Sequence, residues 1–131
     1  MHFIAPSAQI GEGTEVGHFS VIEEEVVIGR NCRIGHNVVI HAGSVIGDNV
    51  RVDACTVIGK QPLRSKRSIF KDEKGLPPAR IGAECMFGAQ VVIYAGCELG
   101  THVLVADGAA VRENVVVGEY TIVGRNATVE N

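Results

Sequence analysis

Aliphatic residues recur every sixth position along this chain. Counting from Ile4, the series runs Ile10, Val16, Ile22, Ile28, Ile34, Ile40, Ile46, Val52 and Ile58 without a break. It resumes at Ile81 and continues through Phe87, Ile93, Leu99, Val105, Val111, Val117, Val123 and Val129. Eighteen of these 19 positions are aliphatic and one is Phe. A period of six fits neither a helix nor a long alternating strand; it fits a short strand followed by a sharp corner. Three such units close one triangular coil. The aliphatic residue then points inward and stacks on its counterpart in the next coil, about 4.8 Å away. No coil buries its own apolar face, so several must stack.

Other positions keep the same phase. Gly follows the aliphatic residue at 11 of the 19 places, as at Gly11, Gly29, Gly47 and Gly118. Three residues after it comes Asn at 31, 37, 49, 114 and 126, a residue that tolerates the left-handed conformation of a tight corner. Four residues after it the side chain is small or Val, as at Thr14, Ser20, Cys32, Ser44, Thr56, Cys85, Cys97 and Thr121, which predicts a second inward position where three walls converge.

The phase also orders the faces. Ile10, Ile28 and Ile46 are each followed by Gly, and so are Ile81, Leu99 and Val117. Ile4, Ile22 and Ile40 are followed by Ala5, Glu23 and His41, and Ile93, Val111 and Val129 by Tyr94, Arg112 and Glu130. Ile81 therefore continues the second face and Ile58 belongs to the first. A single repeat is due between Ile58 and Ile81, and the excess is a loop inserted at one corner with no coil lost. The expected fold is all-β: one solenoid domain over residues 1–131, about six coils and the start of a seventh, with a loop at about 60–80.

Composition agrees with this picture. Aromatics are 5% of the chain and Trp is absent, so the core must be built from Ile and Val, which favour strands. A net charge of −3 gives no whole-molecule footprint for nucleic acid. No stretch is long and apolar enough for a membrane span, and the start of the chain has no secretory leader pattern. The four Cys show neither CxxC nor zinc-finger spacing. A cytoplasmic protein with reduced thiols is expected, with no membrane or nucleic-acid partner.

The repeat of Ile or Val, Gly, two variable residues, a small residue and another variable one resembles that of the hexapeptide-repeat acyltransferases, over nearly the whole chain. The resemblance implies a left-handed parallel β-helix, an exception to the usual right-handed crossover. It also implies a homotrimer with active sites between neighbouring solenoids, and acetyl-CoA or another acyl-CoA as co-substrate. Pro77-Pro78 leading into Ile81-Gly82, then Val91-Val92-Ile93-Tyr94-Ala95-Gly96, is similar to the sugar-nucleotide and tetrahydrodipicolinate N-acetyltransferase branches. The implied activity is acyl transfer to the amine of an amino sugar nucleotide or a similar small molecule. Relatives usually cap the last coil with a helix or tail. This sequence stops in mid-repeat at Val129-Glu130-Asn131, so a fragment of a longer chain, with catalytic residues beyond 131, is an expectation.

Residues 60–80 hold seven of the 12 basic residues and carry a net +5, leaving −8 on the rest. A loop this charged is either a solvated excursion or an arm for an anionic ligand. Arg64, Lys66 and Arg67 are the candidate groups for the phosphates of the cofactor or of a sugar nucleotide.

Acyl transfer from a thioester needs a base for the incoming amine, and His serves near neutral pH. His41 follows Ile40 on the first face, and Glu23 holds the same place one coil earlier, so the two should lie about 5 Å apart by strand spacing. Gly59 comes next in that column and leaves room beside His41. His36, stacked above His18 on the third face, completes the candidate catalytic set of His41, Glu23 and His36. The segment Gly35-His36-Asn37-Val38-Val39-Ile40-His41 also resembles the paired-His zinc motif of γ-class carbonic anhydrases, with His18 as a third ligand from a neighbouring copy. That class carries an Arg-Gly-Asp-like segment and a placed Gln that are missing here. The leading reading assigns no metal, and a non-catalytic scaffold is the third alternative. Cys32, Cys85 and Cys97 fall on the small inward position and read as core residues.

Overall fold

The computed structural model describes residues 1–63, 65–66 and 75–131. Its strands form three parallel sheets, one for each face of a triangular coil. The first face stacks Phe3–Ile4, Val21–Ile22, Val39–Ile40, Val57–Lys60, Val92–Tyr94, Ala110–Val111 and Thr128–Val129. The second stacks Gln9–Ile10, Val27–Ile28, Val45–Ile46, Arg80–Ile81, Glu98–Leu99 and Val116–Val117. The third stacks Glu15–Val16, Arg33–Ile34, Arg51–Val52, Met86–Phe87, Leu104–Val105 and Ile122–Val123. Six full coils and the opening strand of a seventh result, as the period predicts. Among the described residues no helix is long and apolar enough to cross a membrane.

Register follows the six-residue phase. Ile22 pairs with Ile40 and Ile40 with Ile58 on the first face. Ile46 pairs with Ile81 and Ile58 with Ile93, so the insertion leaves the stack uninterrupted. Ile22, Ile40, Ile58, Ile93 and Val111 form one interior file at 0% exposure, while Val27 and Met86, one residue before their inward partners, are exposed. Such short strands suffice because each inner one is held on both sides by its counterparts in the coils before and after it. Gly29 N–H donates to Ile46 O at 2.8 Å, and Gly47 N–H to Ile81 O at 2.9 Å across the insertion.

Corners are made by the third residue after each inward aliphatic. Twelve of the described non-glycine residues have positive φ, between 56° and 65°, and all of them hold this position. Five are the Asn residues singled out from the sequence, and Phe19, Cys55 and Tyr120 are among the others. On the second and third faces the glycines of the inner coils are required by close approach: a Cβ on Gly11 or Gly17 would collide with the backbone of the next coil, whereas one on Gly118 or Gly124 in the last coil would not.

The second inward position carries a polar ladder. Thr14 Oγ1 donates to Gly29 O at 2.7 Å, Ser20 Oγ to Gly35 O at 2.6 Å and Thr56 Oγ1 to Gly88 O at 2.6 Å. Thiols do the same: Cys32 to Gly47 O at 3.2 Å, Cys85 to Gly100 O at 3.1 Å and Cys97 to Arg112 O at 2.7 Å. At these interior rungs the acceptor is the residue just past the inward aliphatic of the next coil, so a buried hydroxyl or thiol is satisfied without leaving its rung; Thr121, exposed in the last coil, turns back to Gly118 O at 2.7 Å. Burial pushes all three of these thiols up from their ordinary pKa, which keeps them protonated. The four Cys are free.

Candidate functional site

One rung departs from the ladder. Ser44 Oγ, fully buried, has no hydrogen-bond partner among the described residues, and its expected acceptor is the carbonyl of Gly59. Gly59 sits in a β-bulge: Ile58 pairs with Ile93, but Lys60 rather than Gly59 pairs with Tyr94. Its φ is +86°, and a Cβ there would run into Ser44 Oγ. Other first-face residues in this column, such as Glu23, His41 and Arg112, carry side chains. Gly59 is therefore demanded by the bulge, where φ lies beyond the range of the non-glycine corners and a Cβ has no room. An unsatisfied buried hydroxyl costs about 1–3 kcal/mol, so the bulge is an expensive local choice.

The bulge lies beside the residues that the column brings together. His41 Nδ1 is 2.9 Å from Glu23 Oε1, which also accepts the Ala42 N–H at 3.0 Å. The carboxylate fixes the proton on Nδ1 and leaves the lone pair on Nε2. Among the described residues Nε2 has no hydrogen-bond partner. The two side chains are 36% and 40% exposed, and with Ala42, Gly59, Lys60 and Gln61 they line an open cleft of about 360 Å³. This is an arrangement that can take a proton from a group entering the cleft.

Past the bulge the same column continues as Lys60, Tyr94 and Arg112. Lys60 Nζ lies 5.3 Å and Arg112 Cζ 4.2 Å from the centre of the Tyr94 ring. Arg112 Nε donates to Glu113 at 2.9 Å, and this bond holds the guanidinium pKa above its ordinary value. The neck of the insertion is closed beside Lys60: Gln61 Nε2 donates to Leu76 O at 3.0 Å, and Leu76 N–H to Gln61 Oε1 at 2.9 Å. The returning chain packs Pro78 over Gly43.

His36 stands apart from this pair. It precedes the strand Val39–Ile40 while His41 follows it, so the two lie at opposite ends of that strand. The His36 ring stacks on His18 with centroids 5.2 Å apart, and His36 Nδ1 accepts the His18 backbone N–H at 2.8 Å. Of the three candidate catalytic residues, the structure joins His41 with Glu23 and leaves His36 with His18. No group of three His, Cys, Asp or Glu among the described residues of one chain could hold a metal ion. Of the basic arm, Lys66 is exposed, while Arg64 and Arg67 lie outside the described residues.

Sequence reasoning missed the Lys60–Tyr94–Arg112 stack. Its signal was present, because Tyr94 and Arg112 share the phase of Glu23 and His41. Lys60 joins them only through the bulge, which adds one residue to the count.

The coils, the register and the corners define a parallel β-helix of hexapeptide repeats. Residues 25–60 match the family described as bacterial transferase hexapeptide (six repeats), and residues 78–113 match the hexapeptide repeat of succinyl-transferase. Together the two segments cover more than half of the chain, which belongs to the hexapeptide-repeat family with its left-handed parallel β-helix. No curated protein sequence matches.

Solved structures share the fold. One is a variant of the GDP-perosamine N-acetyl transferase from Caulobacter crescentus, in complex with CoA and GDP-perosamine. It is 18% identical with a TM-score of 0.68, over 96% of this chain and 49% of that one. PerB from the same organism, also with CoA and GDP-perosamine, is 20% identical with a TM-score of 0.67, over 97% and 50%. LpxA from Acinetobacter baumannii is 23% identical with a TM-score of 0.67, over 98% and 58%. The present chain thus spans about half the length of these proteins.

Proposed function

We propose that this solenoid transfers an acyl group, in the first instance acetyl, from acyl-CoA to the amine of a small nucleotide-linked amino sugar, with His41 as the base. The observation that carries this reading is the His41–Glu23 pair, bonded at 2.9 Å and open to a cleft at the root of the insertion. The acetyltransferase from Caulobacter crescentus, bound to CoA and an amino sugar nucleotide, supports the substrate class.

In the proposed step the neutral amine attacks the thioester carbonyl. The N–C bond forms, the C–S bond breaks, and the amine proton passes to His41 Nε2 and on to the departing sulfur. Glu23 holds the ring and stabilises the imidazolium that forms. The basic arm leaves the solenoid beside this cleft, and its charge suits the phosphates of the cofactor. The protein acts in the cytoplasm, where acyl-CoA is available, and as a homotrimer, in which a neighbouring solenoid closes the cleft from outside.

Release of CoA thiol is the direct assay, with saturating acetyl-CoA and a series of amino sugar nucleotides. Glu23→Gln removes a charge-assisted bond worth about 1.5–3 kcal/mol, so kcat should fall about 10- to 100-fold with KM for acetyl-CoA little changed. Absence of thiol release by the wild-type protein with every amine offered would dismiss the reading.

A further inference from the structure

The transfer written above leaves a negative charge without a partner. When the amine adds to the thioester, the carbonyl electrons move onto oxygen, and a donor must meet them there. The residues that line the cleft with His41 narrow the choice. Glu23 is bonded to His41, and neither Ala42 nor Gly59 has a polar side chain. Gln61 spends its amide on Leu76, donating to the carbonyl and accepting from the N–H. Lys60 is the side-chain donor that is left among these residues.

Lys60 stands in this wall because of the bulge. In a regular rung Gly59 would pair with Tyr94; the extra residue brings Lys60 into register instead. Lys60 is thereby rooted one rung from His41, about 5 Å by strand spacing. The same bulge leaves Ser44 Oγ without its acceptor and holds Gly59 at a φ of +86°. An unusual backbone and an orphaned hydroxyl, together at one point of a regular solenoid, direct attention to the residue that the bulge repositions.

The ammonium of Lys60 is loosely held. Among the described residues it pairs with no carboxylate and makes one hydrogen bond, a long one of 3.3 Å to Gln61 O. Its other contact is the face of the Tyr94 ring, 5.3 Å from the centroid. Rotation about its flexible stem carries it from the ring to a carbonyl oxygen placed over His41. Arg112 differs on both counts. It lies one rung beyond Tyr94, and its guanidinium is tied to Glu113 at 2.9 Å and to Tyr94 Oη at 3.1 Å.

We propose that Lys60 donates the hydrogen bond that stabilises the oxyanion, a role that rests on the acyl-transfer reading. The N–C bond forms as the C=O π pair moves onto oxygen beside the Lys60 ammonium. The pair returns as the C–S bond breaks, and the thiolate takes from His41 Nε2 the proton that came from the amine. Lys60 keeps its own proton throughout. Base and oxyanion donor then meet one carbonyl from adjacent rungs of the same wall.

The test is steady-state thiol release by the whole protein, with acetyl-CoA and an amino sugar nucleotide. Lys60→Met should lower kcat about 10²- to 10³-fold, with both KM values within about threefold of wild type. Lys60→Arg should recover about tenfold of that loss, and Lys60→Gln, a neutral donor, less. Arg112→Met, beyond the ring, should keep kcat within about twofold of wild type. Lys60→Met leaves the bulge untouched and keeps an apolar stem against Tyr94, so it should melt close to wild type and its loss of rate is not a loss of fold. Unchanged kcat in Lys60→Met, in a wild-type protein that transfers, would overturn the proposal and spare the transferase. A loss confined to KM for acetyl-CoA would do the same, because Lys60 would then serve only to hold the donor. Equal losses in the Met, Gln and Arg variants would also overturn it, since neither charge nor donor would matter. A wild-type protein that releases no thiol with any amine removes the transferase reading, and this role with it.

Discussion

Replacement of His41 by alanine should lower kcat about 10²- to 10⁴-fold, the range set by loss of a positioned base, while KM for acyl-CoA changes little. The expectation comes from the geometry of the column. Glu23 occupies Nδ1 at 2.9 Å, so the nitrogen facing the cleft has no other described partner and no structural duty. Side-chain exposure of 36% on the wall of an open cleft means that truncation removes chemistry without opening the core. Thermal unfolding of the variant should therefore match wild type. His36→Ala is the informative comparison: its ring stacks on His18 and accepts a backbone N–H, so its loss should leave kcat within about twofold, as for a surface change away from the reacting groups. Steady-state assays of the two variants side by side check this. Equal losses would move the base away from His41.

The largest stability effect is expected at Phe87. It is the one aromatic residue in the interior files, 1% exposed, and it pairs with Val52 on one side and Val105 on the other. Phe87→Ala leaves a cavity that strands locked on both sides cannot close, and should cost about 3–5 kcal/mol. The preceding residue, Met86, points outward and is 45% exposed, so Met86→Ala should cost less than about 0.5 kcal/mol. Urea unfolding followed by circular dichroism measures both. A contrast this sharp between consecutive residues is a property of inward and outward alternation. Similar losses at the two positions would mean that the wall of the solenoid is not where Phe87 places it.

How much could be read before any coordinates follows from what kind of signal each feature leaves. The pairing of Ile46 with Ile81 across the insertion was legible, because a repeat keeps its phase through an interruption and the glycine after the aliphatic residue marks the face. The corner residues were legible in part: Asn advertises a left-handed backbone, whereas Phe19 and Tyr120 hold the same conformation with no compositional sign. Glu23 and His41 were found because they stand one full coil apart in the same phase. The bulge was not, since it shifts register by a single residue and depends on the φ of Gly59. With it went the placement of Lys60 on Tyr94 and the orphaned hydroxyl of Ser44. The stack of His36 on His18 was legible too, because both stand two residues after their inward aliphatic, one coil apart.

If His41 is the base, the acyl donor must come to the cleft beside Gly59 and there meet Nε2. A crystal structure of the protein with CoA and an amino sugar nucleotide tests this most directly. The expected result is the CoA sulfur in the gap between His41 and Lys60, with the acceptor nitrogen hydrogen-bonded to His41 Nε2 and poised about 3–3.5 Å from the position of the acyl carbon. CoA bound in an ordered way along the second or third face, with its sulfur remote from His41, would contradict it.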